Sequence, residues 1–203
     1  MHNILALVDM LKDEQPVYIQ THNFPDHDAV TSANARGFLL EQQGIPCTLI
    51  YEGIIQRDSL RLLIEELNIP IKSAGEYPIT AQDKIIIVDG CKGNKNVTDL
   101  IGDEVAVIDH HNIDPGAVPD DVLYSDIRPD CGACSTLIYS YFQDLQPEIP
   151  RPVATALMTG LLVDTALLTR GVSEEDVSAY FNLYGTSDIN SFKRIWRSVL
   201  QRF

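Results

Sequence analysis

Histidine and aspartate, two residue types that bind divalent cations, cluster in the segment 22–28, which reads H-N-F-P-D-H-D. Pro25 stiffens this segment and favours an extended conformation for the residue before it. Asp26 and Asp28 stand two positions apart, so in an extended segment we expect their carboxylates to point to opposite sides. The two side chains could therefore serve two different cations, although Asp28 could instead cap a helix that begins at Ala29.

Aspartates and histidines recur where three later apolar runs end. Asp89 ends the run IIIVD, and Asp109, His110 and His111 end the run VIDHH. A carboxylate in that position needs solvent, a cation or hydrogen-bond donors, because burying it alone is costly. Asp164 ends a helix-like stretch, where the helix dipole disfavours a negative charge and a cation would compensate.

These positions together offer four carboxylates and two imidazoles, from His22, Asp26, Asp28, Asp89, His110 and Asp164. Mixed imidazole and carboxylate ligation suits manganese, iron or zinc better than calcium or magnesium. Two divalent ions about 3.5–4 Å apart form the usual clamp for hydrolysing a phosphate ester. The residue types therefore predict metal-assisted hydrolysis of such an ester.

The elements that must position these residues alternate between strand and helix. Apolar or β-branched runs predict strands at 17–22, 46–51, 84–90, 105–111 and 121–127. Helices are expected at 29–43, 58–68, 133–145, 151–164, 174–184 and 188–201. The first of them should end at Gly44, and Asp58 should cap the second. This alternation predicts an α/β fold with a doubly wound, five-stranded parallel sheet flanked by helices, in which ligands bind beyond the carboxyl ends of the strands.

Length and charge restrict the class of function. The 203 residues suit one domain, and a formal net charge of −14 without a basic stripe argues against a grip on long nucleic acid. The chain shows no apolar run long enough to span a membrane, and its first residues do not read as a signal peptide. A cytoplasmic protein is expected. A homo-oligomer is compatible with the sequence but is not specified by it.

Four cysteines, Cys47, Cys91, Cys131 and Cys134, are expected to be free thiols in a reducing compartment. Cys131 and Cys134 form a C-x-x-C pattern, for which packing at the start of a helix is the favoured interpretation. A redox pair remains an alternative, and a zinc site is a weaker one because no second pair of ligands stands nearby.

Four motifs occur in an order that resembles the DHH phosphoesterases, whose name describes the triplet Asp109-His110-His111. They are HNFPDHDAV, IIIVDG, VIDHH and GLLVDTALLTR, and they extend over nearly the whole chain. The resemblance implies that His22 and Asp26 hold one metal ion, that Asp28, His110 and Asp164 hold a second, and that Asp89 bridges both. It also implies that Asp109 orients the histidines and that His111 contacts the scissile phosphate.

The same resemblance implies a substrate and a domain plan. Residues 1–203 would form the DHH catalytic domain, with the smaller C-terminal substrate-binding domain of the family absent or truncated. Small nucleotides or short oligonucleotides would be hydrolysed by a two-metal mechanism that uses manganese. Manganese-dependent pyrophosphatase activity and a nucleotide-binding or regulatory role without catalysis are the alternatives. Further substrate contacts could come from Arg128, Ser135, Thr136 and Arg170.

Overall fold

A computed structural model of the chain describes residues 4–14, 16–113, 118 and 122–200. Six strands run through this part of the chain: β1 Val17–Thr21, β2 Cys47–Tyr51, β3 Ile71–Ser73, β4 Lys84–Val88, β5 Asp103–Asp109 and β6 Tyr124–Ile127. Seven α-helices accompany them: α1 Ile4–Leu11, α2 His27–Gln42, α3 Asp58–Leu67, α4 Cys134–Leu145, α5 Arg151–Asp164, α6 Glu174–Thr186 and α7 Ile189–Leu200.

All six strands are parallel and lie in the order β3-β2-β1-β4-β5-β6. The strand order reverses between β1 and β4, which is the position where doubly wound sheets bind ligands. The expectation of a doubly wound parallel sheet is confirmed, but the expected count of five strands was wrong. The additional strand, β3, has only three residues at the sheet edge, and so short a run carries no readable pattern.

The sheet separates two apolar clusters. Apolar side chains from all seven helices lie in the larger cluster, together with Val17, Ile19 and Ile86 from the strands. Strand residues that alternate with these, such as Tyr18 and Ile87, lie in the smaller cluster on the opposite face. The central strands are therefore buried on both sides, which explains why they read as continuous apolar runs.

The boundaries of most elements differ from the expected ones by one to three residues. The strand expected at 121–127 is observed as Tyr124–Ile127, and its first residue lies outside the described residues. Asp58 is the first residue of α3 rather than its cap, since Arg57 occupies the capping position. Helix α1 was not anticipated. Among the described residues, no helix is both long enough and apolar enough to cross a membrane.

Candidate metal and active site

The register of the sheet brings three groups of polar residues to one edge. Thr21 of β1 lies beside Val88 of β4, and Val88 lies beside Ile108 of β5. The residues that follow, His22, Asp89 and Asp109, therefore lie at the same level, where the strands end. This edge is where the parallel strands end and where the sequence placed its candidate ligands.

His22 faces two carboxylates across this edge. Its Nε2 atom lies 3.7 Å from Asp89 Oδ2 and 3.9 Å from Asp26 Oδ1. Its Nδ1 atom lies 2.9 Å from the carbonyl oxygen of Asn23, which suits the tautomer that donates from Nδ1. That tautomer leaves Nε2 free as a metal ligand, in the arrangement that histidine ligands usually adopt.

His110 faces a second group of carboxylates in the same way. Its Nε2 atom lies 3.4 Å from Asp89 Oδ1, 3.6 Å from Asp164 Oδ2 and 3.9 Å from Asp28 Oδ2. Its Nδ1 atom lies 3.2 Å from the carbonyl oxygen of Cys131, so Nε2 again points towards the carboxylates. The structure thus brings together all six residues that the sequence predicted as ligands.

Asp89 stands between the two groups. Its Oδ2 atom faces His22, whereas its Oδ1 atom faces His110 and, at 3.8 Å, Nδ1 of His111. The residue is 2 % exposed and has a left-handed φ of 58°, and its Oδ1 atom accepts no hydrogen bond from the residues that the structure describes. A buried carboxylate oxygen without a donor is costly, and a cation would relieve that cost.

The donor set fits divalent cations. Ligand atoms of His22, Asp26 and Asp89 lie within 4.8 Å of one another, and the same holds for Asp28, His110 and Asp164. Ligands that share an ion at about 2.1 Å lie roughly 3–3.5 Å apart, so the observed separations need only a small contraction.

Asp28 has a second role that the sequence did not reveal. Its two carboxylate oxygens accept hydrogen bonds from the backbone N–H groups of Cys134 (2.6 Å) and Ser135 (2.9 Å), at the start of α4. The alternative that Asp28 caps its own helix was wrong. That cap is Asp26, which accepts a hydrogen bond from the N–H of Ala29, and α2 begins at His27.

The charges in the cluster strongly perturb the pKa values of its members. Burial, followed by the negative charges of Asp89 and Asp164, raises the pKa of Asp28 to about 8 despite the opposing effect of His110. Burial alone would lower the pKa values of His22 and His110, but the neighbouring carboxylates outweigh it and raise them to about 9 and about 10. The cluster therefore holds more negative charge than it can stabilise, and protons or metal ions must balance it.

Asp109 is fully buried and organises the two histidines that follow it. Its Oδ1 atom accepts hydrogen bonds from the backbone N–H groups of His110 and His111 and lies 2.8 Å from Nδ1 of His111. The side chain of His111 is 57 % exposed, and the hydrogen bond with Asp109 raises its pKa. This geometry suits the predicted roles, in which Asp109 orients His111 and His111 presents its imidazole to a substrate.

Ser135 and Thr136 do not line this edge as free hydroxyls. Ser135 Oγ lies 3.1 Å from Thr31 Oγ1, and Thr136 Oγ1 donates to Asp176 at 2.5 Å. Both side chains are buried, and the first N–H groups of α4 are bonded to Asp28. These donors are therefore already engaged inside the protein, which argues against the expected substrate contacts of Ser135 and Thr136.

The two predicted arginines differ in their surroundings. Arg128 donates to both carboxylate oxygens of Asp126, at 2.9 and 2.8 Å, and to Ser140, so it forms a structural ion pair. Arg170 has a side chain that is 70 % exposed, hydrogen-bonds the Asp164 carbonyl and lies 3.8 Å from the Asp164 carboxylate. Arg170 is thus the one of the two that stands beside the cluster with its charge open to solvent.

Asp176 supports the site from a distance, and sequence reasoning did not single it out. It accepts hydrogen bonds from the backbone N–H of Gly132 (2.8 Å) and from the backbone and hydroxyl of Ser173. Gly132 follows Cys131, whose carbonyl faces His110, so Asp176 fixes the segment that orients this imidazole. The S-x-x-D pattern of a capping box was the available signal.

Gly160 allows the helices that carry the site to approach one another. A Cβ atom at this position would lie 2.5 Å from Ser135 Oγ and closer still to Thr31 Oγ1, and 3.1 Å from Asp28 Oδ1. Only a residue without a side chain lets α5 pass so near to α2 and α4. The position of Asp164 at the end of α5 depends on that passage.

Residues 16–161 match the model of the DHH family, N-terminal domain. This match extends over most of the chain and includes the strand ends and the triplet Asp109-His110-His111. The chain belongs to the DHH family. The recognition made from the four sequence motifs is confirmed.

Similar DHH chains occur in distant organisms. An uncharacterized protein of Methanocaldococcus jannaschii is 30% identical over 171 residues, a span that covers 83% of this chain and 35% of that protein. A probable manganese-dependent inorganic pyrophosphatase of Lactiplantibacillus plantarum is 26% identical over 171 residues, which covers 83% of this chain and 54% of the relative. The chain thus spans between a third and about half of the length of these relatives.

Among solved structures, an exopolyphosphatase-related protein from Bacteroides fragilis has a similar fold. The two superpose with a TM-score of 0.73 at 19% identity, over 94% of this chain and 60% of the other. At 19% identity the similarity supports the shared fold alone, and the activity of this chain follows from its own site.

Proposed function

We propose that this DHH domain hydrolyses phosphate esters of small nucleotides or short oligonucleotides with the help of two divalent ions, which we take to be manganese. His22 and Asp26 would hold one ion, and Asp28, His110 and Asp164 the other. Asp89 would hold both. The observation that carries the proposal is that the two buried oxygens of Asp89 face the two separate groups of ligands.

When bound, two such ions polarise the phosphate and favour ionised water at neutral pH. The protein then supplies orientation. Asp109 holds His111 by its Nδ1 atom, so Nε2 of His111 is directed away from the buried carboxylate and is available to a phosphate oxygen. The hydrogen bond with Asp109 raises the pKa of His111, which favours the protonated imidazole and so hydrogen-bond donation to an anion.

A small substrate agrees with the charge of the molecule. The chain carries 29 acidic and 15 basic residues, and Arg128 is already committed to Asp126. Arg170 is left as the arginine beside the cluster that can meet a phosphate. Long nucleic acid needs many such contacts, whereas one or two phosphates need few. We propose that a further domain, which the resemblance to the family implies, supplies the remaining grip on the substrate.

Inorganic pyrophosphatase activity is the second candidate, and its support is the similarity to relatives named as probable manganese-dependent pyrophosphatases. Pyrophosphate lacks a nucleoside, so every contact with it must come from metals and cations. Within the part of the chain that the structure describes, few basic groups stand open beside the site, which favours the first candidate.

The deciding experiment measures turnover by the chain, supplied with manganese, of 3′-phosphoadenosine 5′-phosphate, a dinucleotide, a cyclic dinucleotide, pyrophosphate and bis-p-nitrophenyl phosphate. We expect hydrolysis of the activated ester and slower hydrolysis of at least one nucleotide. Preferential cleavage of pyrophosphate would support the second candidate. No turnover of any compound would favour a nucleotide-binding or regulatory role.

The Asp89→Asn variant tests the role of the bridging carboxylate. The amide keeps the shape of the side chain but gives up the charge shared by both ions, so we expect activity to fall by more than about 1,000-fold. Asp144→Asn, an exposed aspartate on α4, is the matched control and should leave activity unchanged. Wild-type activity in Asp89→Asn would contradict the proposed site.

A further inference from the structure

Phe24 is an exposed aromatic residue in the loop that carries the first candidate ligands. Its side chain is 51% exposed, although its neighbour Pro25 is buried. One residue separates it from His22 on one side and from Asp26 on the other. Its Cα therefore lies within about 7 Å of theirs, a distance within the span of a mononucleotide.

The backbone at Phe24 adopts a conformation that bulky residues rarely accept. Its φ is 54°, in the left-handed region, where a side chain with a Cβ is strained. Such strain persists only where surrounding contacts enforce it, and it is concentrated at functional sites. A half-exposed phenylalanine gains less from burial than a core residue would, so burial offsets this cost only in part.

Hydrogen bonds on both sides hold the residue in place. The N–H of Phe24 donates to the Glu52 carbonyl at 2.9 Å, and the N–H of Asn23 donates to Asn96 at 2.6 Å. Asn23 Oδ1 also accepts hydrogen bonds from the backbone N–H and the hydroxyl of Thr98, at 3.1 and 3.0 Å. The loop after β1 is thus tied to the loops after β2 and β4, which fixes the backbone that carries the ring.

One side of the ring is covered, and the rest is open. A Cβ at Gly53 would lie 2.8 Å from two ring carbons, so the Phe24 ring rests directly on the Gly53 backbone. Ile54, the next residue, is 62% exposed and adds apolar surface beside it. The result is a rigid, flat, apolar surface at the rim of the candidate metal site.

We infer that Phe24 is a stacking platform for the nucleobase of the substrate and so makes the site selective for nucleotides over base-free phosphates. This inference rests on the proposed function and deepens it. Aromatic rings stack on the π faces of bases with little dependence on which base it is. A rigid ring also loses little conformational freedom on binding. A phosphate at the ligand cluster and a base on Phe24 would then be held together.

Binding, measured apart from catalysis, tests the inference. Calorimetric titration with manganese present compares adenosine 5′-monophosphate with ribose 5-phosphate, which has the same phosphate and no base. In Phe24→Ala we expect AMP affinity to fall roughly 5- to 150-fold, the range associated with loss of one stacked base, with ribose 5-phosphate affinity unchanged within about twofold. Phe24→Tyr keeps the ring and should bind AMP like the wild type.

Phe181→Ala is the matched control, because Phe181 on α6 is an exposed phenylalanine, 78% exposed, in a regular helix. It should leave both affinities unchanged. If Phe24→Ala does not fold, Phe24→Leu, which keeps apolar bulk without a π face, replaces it and should show the same selective loss of AMP affinity.

Three results would each overturn the inference. They are an unchanged AMP affinity in Phe24→Ala, an equal loss of affinity for AMP and ribose 5-phosphate, and a wild type that does not prefer AMP. The two proposals fail separately. If the chain hydrolyses a nucleotide but Phe24→Ala binds AMP as the wild type does, the stacking role of Phe24 is refuted and the proposed activity stands. If no nucleotide is hydrolysed but Phe24→Ala selectively loses affinity for AMP, the stacking role stands and the proposed activity is refuted.

Discussion

Two carboxylates of the candidate site, those of Asp26 and Asp28, each combine a structural hydrogen bond with a charge directed at the cluster. Asp26 caps α2 and faces His22, and Asp28 binds the start of α4 and faces His110. Because backbone N–H groups fix these side chains, the ligand positions are set before any ion arrives. Such preorganisation lowers the cost of ordering the site on binding.

Arg170 is expected to act on substrate affinity rather than on the chemical step. Its exposed guanidinium lies beside Asp164 and can meet a phosphate. Its contact with Asp164 is on the solvent side, so it does not fix a candidate ligand from the interior of the protein. Arg170→Ala should raise KM by roughly 3- to 10-fold, as befits a solvent-screened charge, and change kcat little. Steady-state kinetics on the best nucleotide of the panel measures both constants.

Arg61→Ala is the control for Arg170→Ala, because Arg61 pairs with Asp58 on the exposed side of α3. It should leave both constants unchanged. A large fall in kcat with unaltered KM for Arg170→Ala would mean that the guanidinium acts in the transition state instead.

The C-x-x-C pair is expected to be chemically inert. Burial, and then the charge of Glu175, raises the pKa of Cys131 to about 12, and burial raises that of Cys134 well above its usual value. At pH 8 only about one Cys131 in ten thousand is a thiolate, against about a quarter of ordinary thiols. Alkylation of Cys131 by iodoacetamide should therefore be at least about 1,000-fold slower in the folded chain than in urea, and should rise about tenfold per pH unit below pH 12.

Mass spectrometry of the Cys131 peptide follows this reaction. Rapid labelling in the folded protein would revive the interpretation of the pair as a redox site. Slow labelling supports the favoured alternative, in which the two thiols pack at the start of α4.

At the scale of elements, the crossing of α5 over α2 and α4 depends on Gly160. A methyl group there would meet Ser135 Oγ and Thr31 Oγ1, both buried, so the helices would have to separate. Gly160→Ala should destabilise the fold by about 1–3 kcal/mol and weaken manganese binding, because Asp28 and Asp164 would move apart. Urea denaturation and metal titration measure the two effects.

Gly185 in α6 provides the matched substitution. A Cβ at this position meets nothing within 4 Å, so Gly185→Ala should stabilise the helix by up to about 1 kcal/mol. If Gly160→Ala and Gly185→Ala changed the free energy of unfolding equally, the close approach of the helices at Gly160 would not determine the stability of the fold.

The sequence predicted the elements that carry strong periodicity and the ligands that end them. Buried runs such as β4 and β5 are continuous in apolar character, and a charged residue after such a run is conspicuous. By contrast, β3 is too short to show a pattern, and the bond of Asp28 to α4 joins residues more than a hundred positions apart. The strain at Phe24 is a property of backbone geometry, for which residue type alone gives no signal.

At the scale of the whole molecule, metal binding should stabilise the fold. Burial, and then the charges of Asp89 and Asp164, raises the pKa of Asp28, and a cation would neutralise the unfavourable charge. At manganese concentrations of about 100 times Kd, one site contributes about 2.7 kcal/mol, which corresponds to a rise in Tm of roughly 5–10 °C for a domain of this size. Thermal unfolding followed by circular dichroism, with and without manganese, measures the rise.

Chelation should reverse the manganese effect, and Asp89→Asn should abolish it. The same variant should unfold at an equal or higher temperature than the wild type without metal, because it removes one of the repelling charges. An unchanged Tm at millimolar manganese would count against a site already shaped for the ion.

The distribution of the ligands along the chain has a consequence for biosynthesis. His22 and Asp26 leave the ribosome early, His110 near the middle, and Asp164 only when most of the described chain has been made. The first strand and helix can form while the nascent chain still lacks the residues that complete either group. If these residues bind metal as proposed, full occupancy is reserved for chains translated past α5.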